Sequence, residues 1–230
     1  MNVRPRETEK FARLAALWWD PRGPMHSLHA VNPLRTGYIA DHVDLRDKRV
    51  LDVGCGAGLL TESLARLGAR ASGVDLAQEL VDMARQHATQ RGLLVDYRHD
   101  SAEQLAAHQP ASFDVVTCME VLEHIPRPQA VIQASSVLLK AGGHAFFSTI
   151  DRTPKSFLFV ILGSEYVLRL LPVGSHSYKH LIRPRELNAW ACRSGLHFVR
   201  SASISYNLLT RRFKLVPYLG VNYIMHFVKS

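Results

Sequence analysis

Cysteine is scarce in this chain. Cys55, Cys118 and Cys192 lie far apart and form no C-x-x-C pair. That excludes a disulfide scaffold or a zinc ribbon and reads as a reducing compartment, with the thiols serving as small buried residues. Long apolar runs are missing too, since none reaches the ~18 residues that would span a bilayer. The opening stretch MNVRPRETEKFARLAALWWD mixes acids with bases around no sustained apolar core, so neither a secretory leader nor an acid-poor transit peptide is expected. Acidic residues are the third shortage, 20 Asp and Glu against 28 Lys and Arg, for a net charge of +8. Two readings of that excess stay open: an anionic partner such as nucleic acid, lipid surface or substrate, and a soluble enzyme with a basic surface. No repeat or low-complexity tract occurs. With 47% hydrophobic and 21% charged residues in 230, the chain has the ordinary balance of one large globular domain.

What is present from Arg49 onward is an alternation of short β-branched runs and longer helical patterns, the rhythm of a parallel α/β sheet. RVLDVGC, RASGVDL, LVDYRHD, FDVVTCM and HAFFSTI read as five strands. Between them LLTESLARLG and AQELVDMARQHATQRG read as helices closed by glycine. PQAVIQASSVLLKAGG reads as a helix with proline near its start and Gly-Gly at its end. LHFVRSASI and NYIMHFVKS are late strands with no helix between them, suited to antiparallel pairing. The expected organisation is one domain over 1–230. It comprises a helical N-terminal cap (1–48), a cofactor-binding core (49–150), an apolar insert (151–185), and a C-terminal helix with a strand pair (186–230).

VLDVGCGAG ends the first strand in three glycines, Gly54, Gly56 and Gly58. A glycine turn there brings a ligand to the carboxyl edge of the sheet beside a helix N-terminus. The spacing G-x-G-x-G is tighter than the G-x-G-x-x-G of a dinucleotide pyrophosphate site. Asp75 closes the second strand about 20 residues on, where a carboxylate accepts hydrogen bonds from ribose hydroxyls. A nucleoside is the ligand this pair predicts; a tight turn with no ligand is the plain alternative.

VLDVGCGAG, Asp75 and FDVVTCMEVLEHI together resemble the first, second and fourth motifs of class I S-adenosylmethionine-dependent methyltransferases, over roughly residues 48–150. That resemblance implies a Rossmann-like α/β fold with a seven-stranded, mostly parallel sheet whose strand 7 runs antiparallel between strands 5 and 6. The segments FARLAALWWDPRGPMHSLHAVNPLRTGYI, VTCMEVLEHIPRPQAV, FFSTIDRTPKSFL and NYIMHF narrow the resemblance, nearly end to end, to the ubiquinone-biosynthesis O-methyltransferases. The family implies S-adenosyl-L-methionine as methyl donor and polyprenylated phenol or quinol intermediates as acceptors, with one enzyme performing both O-methylation steps. It leaves room for a divalent metal and for association with other enzymes of the same biosynthesis.

On this resemblance Gly54, Gly56 and Gly58 let the loop backbone approach the amino acid part of the donor. Asp52 meets its ammonium or braces the loop. Asp75 holds the ribose, Asp100, Ser101 and Ala102 frame the adenine, and Met119 contacts the donor from the end of strand 4. Arg35 clamps its carboxylate, as a guanidinium can with two charge-assisted bonds. Methyl transfer to a phenolic oxygen is an in-line displacement that gains from alignment and exclusion of water, and the nucleophile must lose a proton. His124 is the candidate base. Glu120 or Glu123 is the candidate for orienting it or for binding a metal ion that acidifies a catechol; capping and packing of the next helix is the structural alternative. Trp18 and Trp19 are candidates for the pocket wall, with core packing expected of at least one.

KSFLFVILGSEYVLRLLP is too short and too interrupted by Glu165 and Arg169 to span a membrane. Helical spacing gathers Phe157, Ile161, Tyr166 and Leu170 beside basic flanks, which reads either as an interfacial helix or as a cover over the substrate pocket. Attraction to anionic lipid would then account for the positive charge, and the expected location is cytoplasmic, peripheral on the membrane face. Three rivals stand beside this reading: an RNA methyltransferase, although no nucleic-acid-binding module is seen; a nicotinamide-dependent oxidoreductase; and a non-catalytic membrane binder that keeps the cofactor fold.

Overall fold

Chain connectivity puts the first β-strand at the centre of the five parallel strands of the sheet, and the place of the site follows from that. A computed structural model describes residues 2–156, 178–207, 209–210 and 212–230. Phe157, Ile161, Tyr166 and Leu170, on which the interfacial-helix expectation rests, lie outside the described residues.

The strands are β1 (Arg49–Val53), β2 (Arg70–Asp75), β3 (Asp96–His99), β4 (Phe113–Met119), β5 (Leu139–Ile150), β6 (Leu196–Asn207), β7 (Arg212–Val216) and β8 (Asn222–Lys229). They form one sheet in the order β3-β2-β1-β4-β5-β8-β6-β7. β3, β2, β1, β4 and β5 are mutually parallel. β8 inserts antiparallel between β5 and β6, and β7 adds an antiparallel edge to β6. The antiparallel strand between the fifth and sixth is as the sequence resemblance implies. The sheet nevertheless has eight strands and not seven, because RFKLV folds back on β6 as a short edge whose exposed Arg212 and Lys214 discourage further pairing.

The helices are α1 (Pro5–Ala12), α2 (His26–Ala40), α3 (Leu59–Arg66), α4 (Gln78–Gln90), α5 (Ala102–His108), α6 (Pro128–Leu138), α7 (Pro154–Ser156) and α8 (Pro184–Arg193). Proline at the first turn of α1, α6 and α8 occupies the position where a missing N–H is harmless. In α4 the buried Leu80, Val81, Ala84 and Ala88 recur at helical spacing and form the stripe that packs on the sheet. α6 ends four residues earlier than its glycines suggest. Leu139 already pairs with Phe113, and His144 is the next partner, opposite Val115. The chain between them bulges through Gly142, at φ 71°, and Gly143, where an added Cβ would stand 2.9 Å from the Lys140 carbonyl oxygen.

Strand residues alternate between two cores. Leu51, Val116, Phe147 and Phe227 face α6 and α8, whereas Val50, Val115, Phe146 and Ile224 face α2 and α3. The order of connection reverses at β1, with β2 on one side and β4 on the other. A crevice therefore opens beyond the carboxyl ends of β1 and β4. Cys55 and Cys118 are buried as expected, but Cys192, on the outer face of α8, is exposed.

Candidate active site

The glycine loop leaves β1 through three left-handed residues, Gly54, Gly56 and Gly58, at φ 68°, 55° and 90°. Space is denied to a side chain at each. An added Cβ would stand 2.3 Å from Val121 Cγ2 at Gly54, 2.5 Å from Trp18 Cζ2 at Gly56 and 2.2 Å from the Tyr97 hydroxyl at Gly58. The glycines therefore let protein side chains close on the loop from three directions, and Gly54 and Gly56 also line a cavity of about 630 Å³. Asp75 ties the loop to β2 by accepting hydrogen bonds from the N–H groups of Gly56 and Ala77, both at 2.9 Å. Burial raises its carboxyl above the usual range, against the pull of those backbone donors.

Asp52 is buried and braced. Thr61 donates to one carboxylate oxygen at 2.8 Å and Thr117 to the other at 2.7 Å. Burial outweighs both hydrogen bonds and pushes its pKa up to about 6. Asp100, Ser101, Ala102 and Met119 all line the same cavity. Ser101 also caps α5, a helix the sequence reading omitted, by accepting the Gln104 N–H at 3.1 Å. Trp18 lines the cavity over Gly56. Trp19 instead stacks on His87 at 3.5 Å between centroids and donates its indole N–H to the Ala57 carbonyl at 3.0 Å.

The other half of the cavity is built after β4. Glu120 is held at φ 56°, an unusual conformation for a residue with a Cβ. One of its oxygens accepts from Arg35 at 3.0 Å, Ser148 at 2.7 Å and Asn222 at 3.1 Å. Three buried polar atoms on the wall, Arg35 Nε, Asn222 Oδ1 and Ser27 Oγ, have no hydrogen-bond partner among the described residues. Such atoms are costly unless a ligand satisfies them.

Glu123 turns away. It is buried against β5, where Thr149 donates to it at 2.8 Å, and it does not line the cavity. Burial, reinforced by the nearby Glu120 charge, raises its carboxyl well above the usual range. His124 does line the cavity, and its orienting acid is neither glutamate of EVLEH. Nδ1 lies 2.9 Å from Glu7 of α1, and the Phe11 ring packs edge-on at 5.2 Å. The hydrogen bond to His124 holds the Glu7 carboxyl below the usual range despite partial burial. An ionised carboxylate only accepts, so Nδ1 carries a proton. Arg4 donates to the Glu123 carbonyl at 3.1 Å, and Asn2 bonds the backbone of Arg127 in both directions, so the N-terminal segment is strapped across this half of the site. Among the described residues no group of three or more His, Cys, Asp or Glu could hold a metal ion, so Glu120, Glu123 and His124 do not form a metal cradle here.

Residues 51–147 match the methyltransferase domain family. The chain is 48% identical over 230 residues to the ubiquinone biosynthesis O-methyltransferase of Nitrosococcus oceani, covering 100% of this chain and 98% of that protein. Its counterpart in Xanthomonas euvesicatoria is 50% identical, over 99% of this chain and 95% of that one. The chain belongs to the ubiquinone biosynthesis O-methyltransferases. Among solved structures, magnesium protoporphyrin IX methyltransferase from Synechocystis, with bound SAH, superposes with a TM-score of 0.73 at 18% identity, over 97% of this chain and 96% of that one. A SAM-dependent methyltransferase from Thermotoga maritima gives 0.67 at 18%, over 98% and 99%. At these identities the likeness is one of fold, and both neighbours are methyltransferases of the Rossmann-like class.

Within this family member, two residues of the half built after β4 escaped the sequence reading. Glu7 lies 117 positions from His124, and Asn222 lies 102 positions from Glu120. No local motif signals either pairing; only the folded contact does.

Proposed function

We propose that this chain transfers a methyl group from S-adenosylmethionine to phenolic hydroxyls of polyprenylated phenol and catechol intermediates of ubiquinone biosynthesis, at both O-methylation steps. The observation that carries the reading is a single cavity with the glycine loop and Asp75 on one wall and the Glu7–His124 pair on the other. Family membership supports the chemistry and the acceptor class.

Bound S-adenosylmethionine supplies an electrophilic methyl on a sulfonium. The chain's own residues supply the rest. Asp75 keeps lone pairs for ribose hydroxyls beyond its two backbone bonds, while Gly54 and Gly56 admit the donor close to the main chain. Asp52 faces its ammonium, Asp100, Ser101 and Ala102 border its base, and Met119 contacts it from β4. Arg35 Nε offers a donor to its carboxylate while Nη2 stays paired with Glu120. His124 takes the phenolic proton on Nε2, and Glu7 orients the ring and stabilises the imidazolium that results. Alignment within a cavity closed by α1 and Trp18 supplies much of the remaining barrier reduction.

The enzyme works at an anionic membrane face as a peripheral protein. The net charge of +8 and acceptors that partition into lipid support this, and no described helix is long and apolar enough to cross a bilayer. Contact with other enzymes of the same biosynthesis belongs to the proposal, and nucleic acid does not. Three measurements test it. Titration calorimetry should give heat with S-adenosylmethionine and none with NADH, and short-tailed demethylated quinol should be turned over; NADH binding without turnover would transfer the chain to the oxidoreductase rival. Cosedimentation with anionic vesicles should weaken with salt, and its absence at low salt removes the membrane face.

A further inference from the structure

The cavity does not end at the acceptor half of the site. It continues past Asn222 along the β6–β7 hairpin, where Ile204, Tyr206, Phe213, Val216 and Tyr218 line it. This extension differs in character from the rest. Near β4 the wall carries Glu120, Arg35, Asn222 and His124, whereas the hairpin side is mostly hydrocarbon and aromatic rings. Alternation along β7 explains the composition: Arg212 and Lys214 face solvent, while Phe213 turns inward onto Tyr206, with ring centroids 4.8 Å apart. The loop that follows β7 is tied back to β6 by the Gly220 N–H, which donates to Ser203 at 2.7 Å. Tyr218, which also lines this stretch, is 63% exposed.

We propose that the β6–β7 hairpin is the lane that holds the hydrocarbon tail of the acceptor, with Phe213 and Tyr218 setting the preference for tailed over tail-less phenols. The assignment rests on the acceptor class proposed above and adds where the chain of that acceptor lies. Continuity is the argument. A ring whose oxygen is presented to His124, on the polar wall with Asn222, has the donor half on one side, and the apolar lane is where a hydrocarbon substituent leaves it at no cost in desolvated polar groups. The edge strand β7 then has a task, since without it this side of the cavity would lack Phe213 and Val216.

The test compares initial rates on two water-soluble catechols that differ only in bearing a two-isoprene chain or a methyl group. No vesicle is present, so membrane docking plays no part. The wild type should favour the tailed catechol in kcat/KM. Phe213→Asp should reduce that preference by at least about tenfold, the scale on which apolar pockets discriminate hydrocarbon. Tyr218→Ala, at an exposed position that leaves folding alone, should reduce it by less. Melting curves guard the first variant against trivial unfolding. A preference that persists in both folded variants, or a wild type indifferent to the tail, overturns the lane while the acceptor class stands. A wild type that binds S-adenosylmethionine but methylates neither catechol overturns the acceptor class and the lane with it.

Discussion

The two walls of the cavity are made in different ways. Most of the donor wall comes from a contiguous stretch, β1 to the start of α5, and works through backbone: three left-handed glycines, two N–H groups on Asp75 and one helix cap, with Met119 and Arg35 Nε the side chains proposed to join it from β4 and α2. The acceptor wall comes from side chains delivered by α1, α2, the end of β4, β5 and β8, so that Glu7 meets His124 and Glu120 meets Arg35, Ser148 and Asn222. A wall of backbone is specified locally and tolerates little change of backbone angle. A wall of side chains is specified by tertiary packing, and its chemistry can be altered one group at a time. Each wall should therefore fail in its own manner.

The largest effect is expected on the acceptor side. His124→Ala should lower kcat by roughly 10²–10⁴, the range for loss of a general base. Donor affinity by calorimetry should stay close to wild type, because His124 belongs to the other wall. Unchanged turnover would take His124 out of the mechanism. A parallel collapse of donor affinity would mean that the two walls do not act separately.

The donor wall should break through folding. Gly54→Ala places a Cβ 2.3 Å from Val121 Cγ2 at φ 68°. Two penalties are expected in urea unfolding, about 1–2 kcal/mol for the left-handed angle and about 1–3 kcal/mol for overpacking. Adding Val121→Ala should recover the second and not the first. Full recovery would show that crowding alone required glycine, and no recovery would assign the whole cost to the backbone.

The difference between the walls also explains what could be read from the sequence. Gly54, Gly56, Gly58 and Asp75 were legible because a βαβ unit brings them together within about 20 residues. The α/β alternation was legible for the same local reason, and the antiparallel place of β8 between β5 and β6 through family resemblance. Glu7 was not, since PRETEK carries no mark of a partner in EVLEH. The assignment of an orienting role to Glu120 or Glu123 followed sequence neighbourhood, whereas backbone geometry turns Glu123 toward Thr149 and ties Glu120 to Arg35. β7 was missed because RFKLV is short and charged at alternate positions, as edge strands are. The early end of α6 was missed because LLK fits helix and strand alike, and only the pairing of Leu139 with Phe113 decides it.

A smaller effect should separate orientation from proton transfer. Glu7→Ala removes a charge-assisted hydrogen bond worth about 1.5–3 kcal/mol, or roughly 10- to 100-fold in kcat if all of it is expressed in the transition state. Glu7→Gln can still accept through its amide oxygen and should recover part of that loss, while donor affinity stays unmoved in both. If α1 acted only as a structural strap, alanine and glutamine would lower the melting temperature alike and leave kcat in step with it.

The smallest effect concerns a cost buried behind the acceptor wall. Burial raises the Glu123 carboxyl, and the Glu120 charge adds to it, against the Thr149 hydrogen bond. In the unfolded chain a glutamate titrates near its ordinary value, ~4.3. From there upward the folded state binds more protons than the unfolded state, so this group's contribution to stability falls as pH rises toward the raised folded value. Asp52, pushed up to about 6, adds a fall of the same sign that is complete a little above that pH. Glu123→Gln keeps an oxygen for Thr149 and has no proton to lose. Its urea midpoint should therefore gain on the wild type as pH is raised from the ordinary carboxylate range through neutrality, and because Asp52 is common to both proteins its fall cancels from that difference. A difference between the two proteins that does not change with pH would mean that Glu123 ionises as readily in the folded wall as in the open chain.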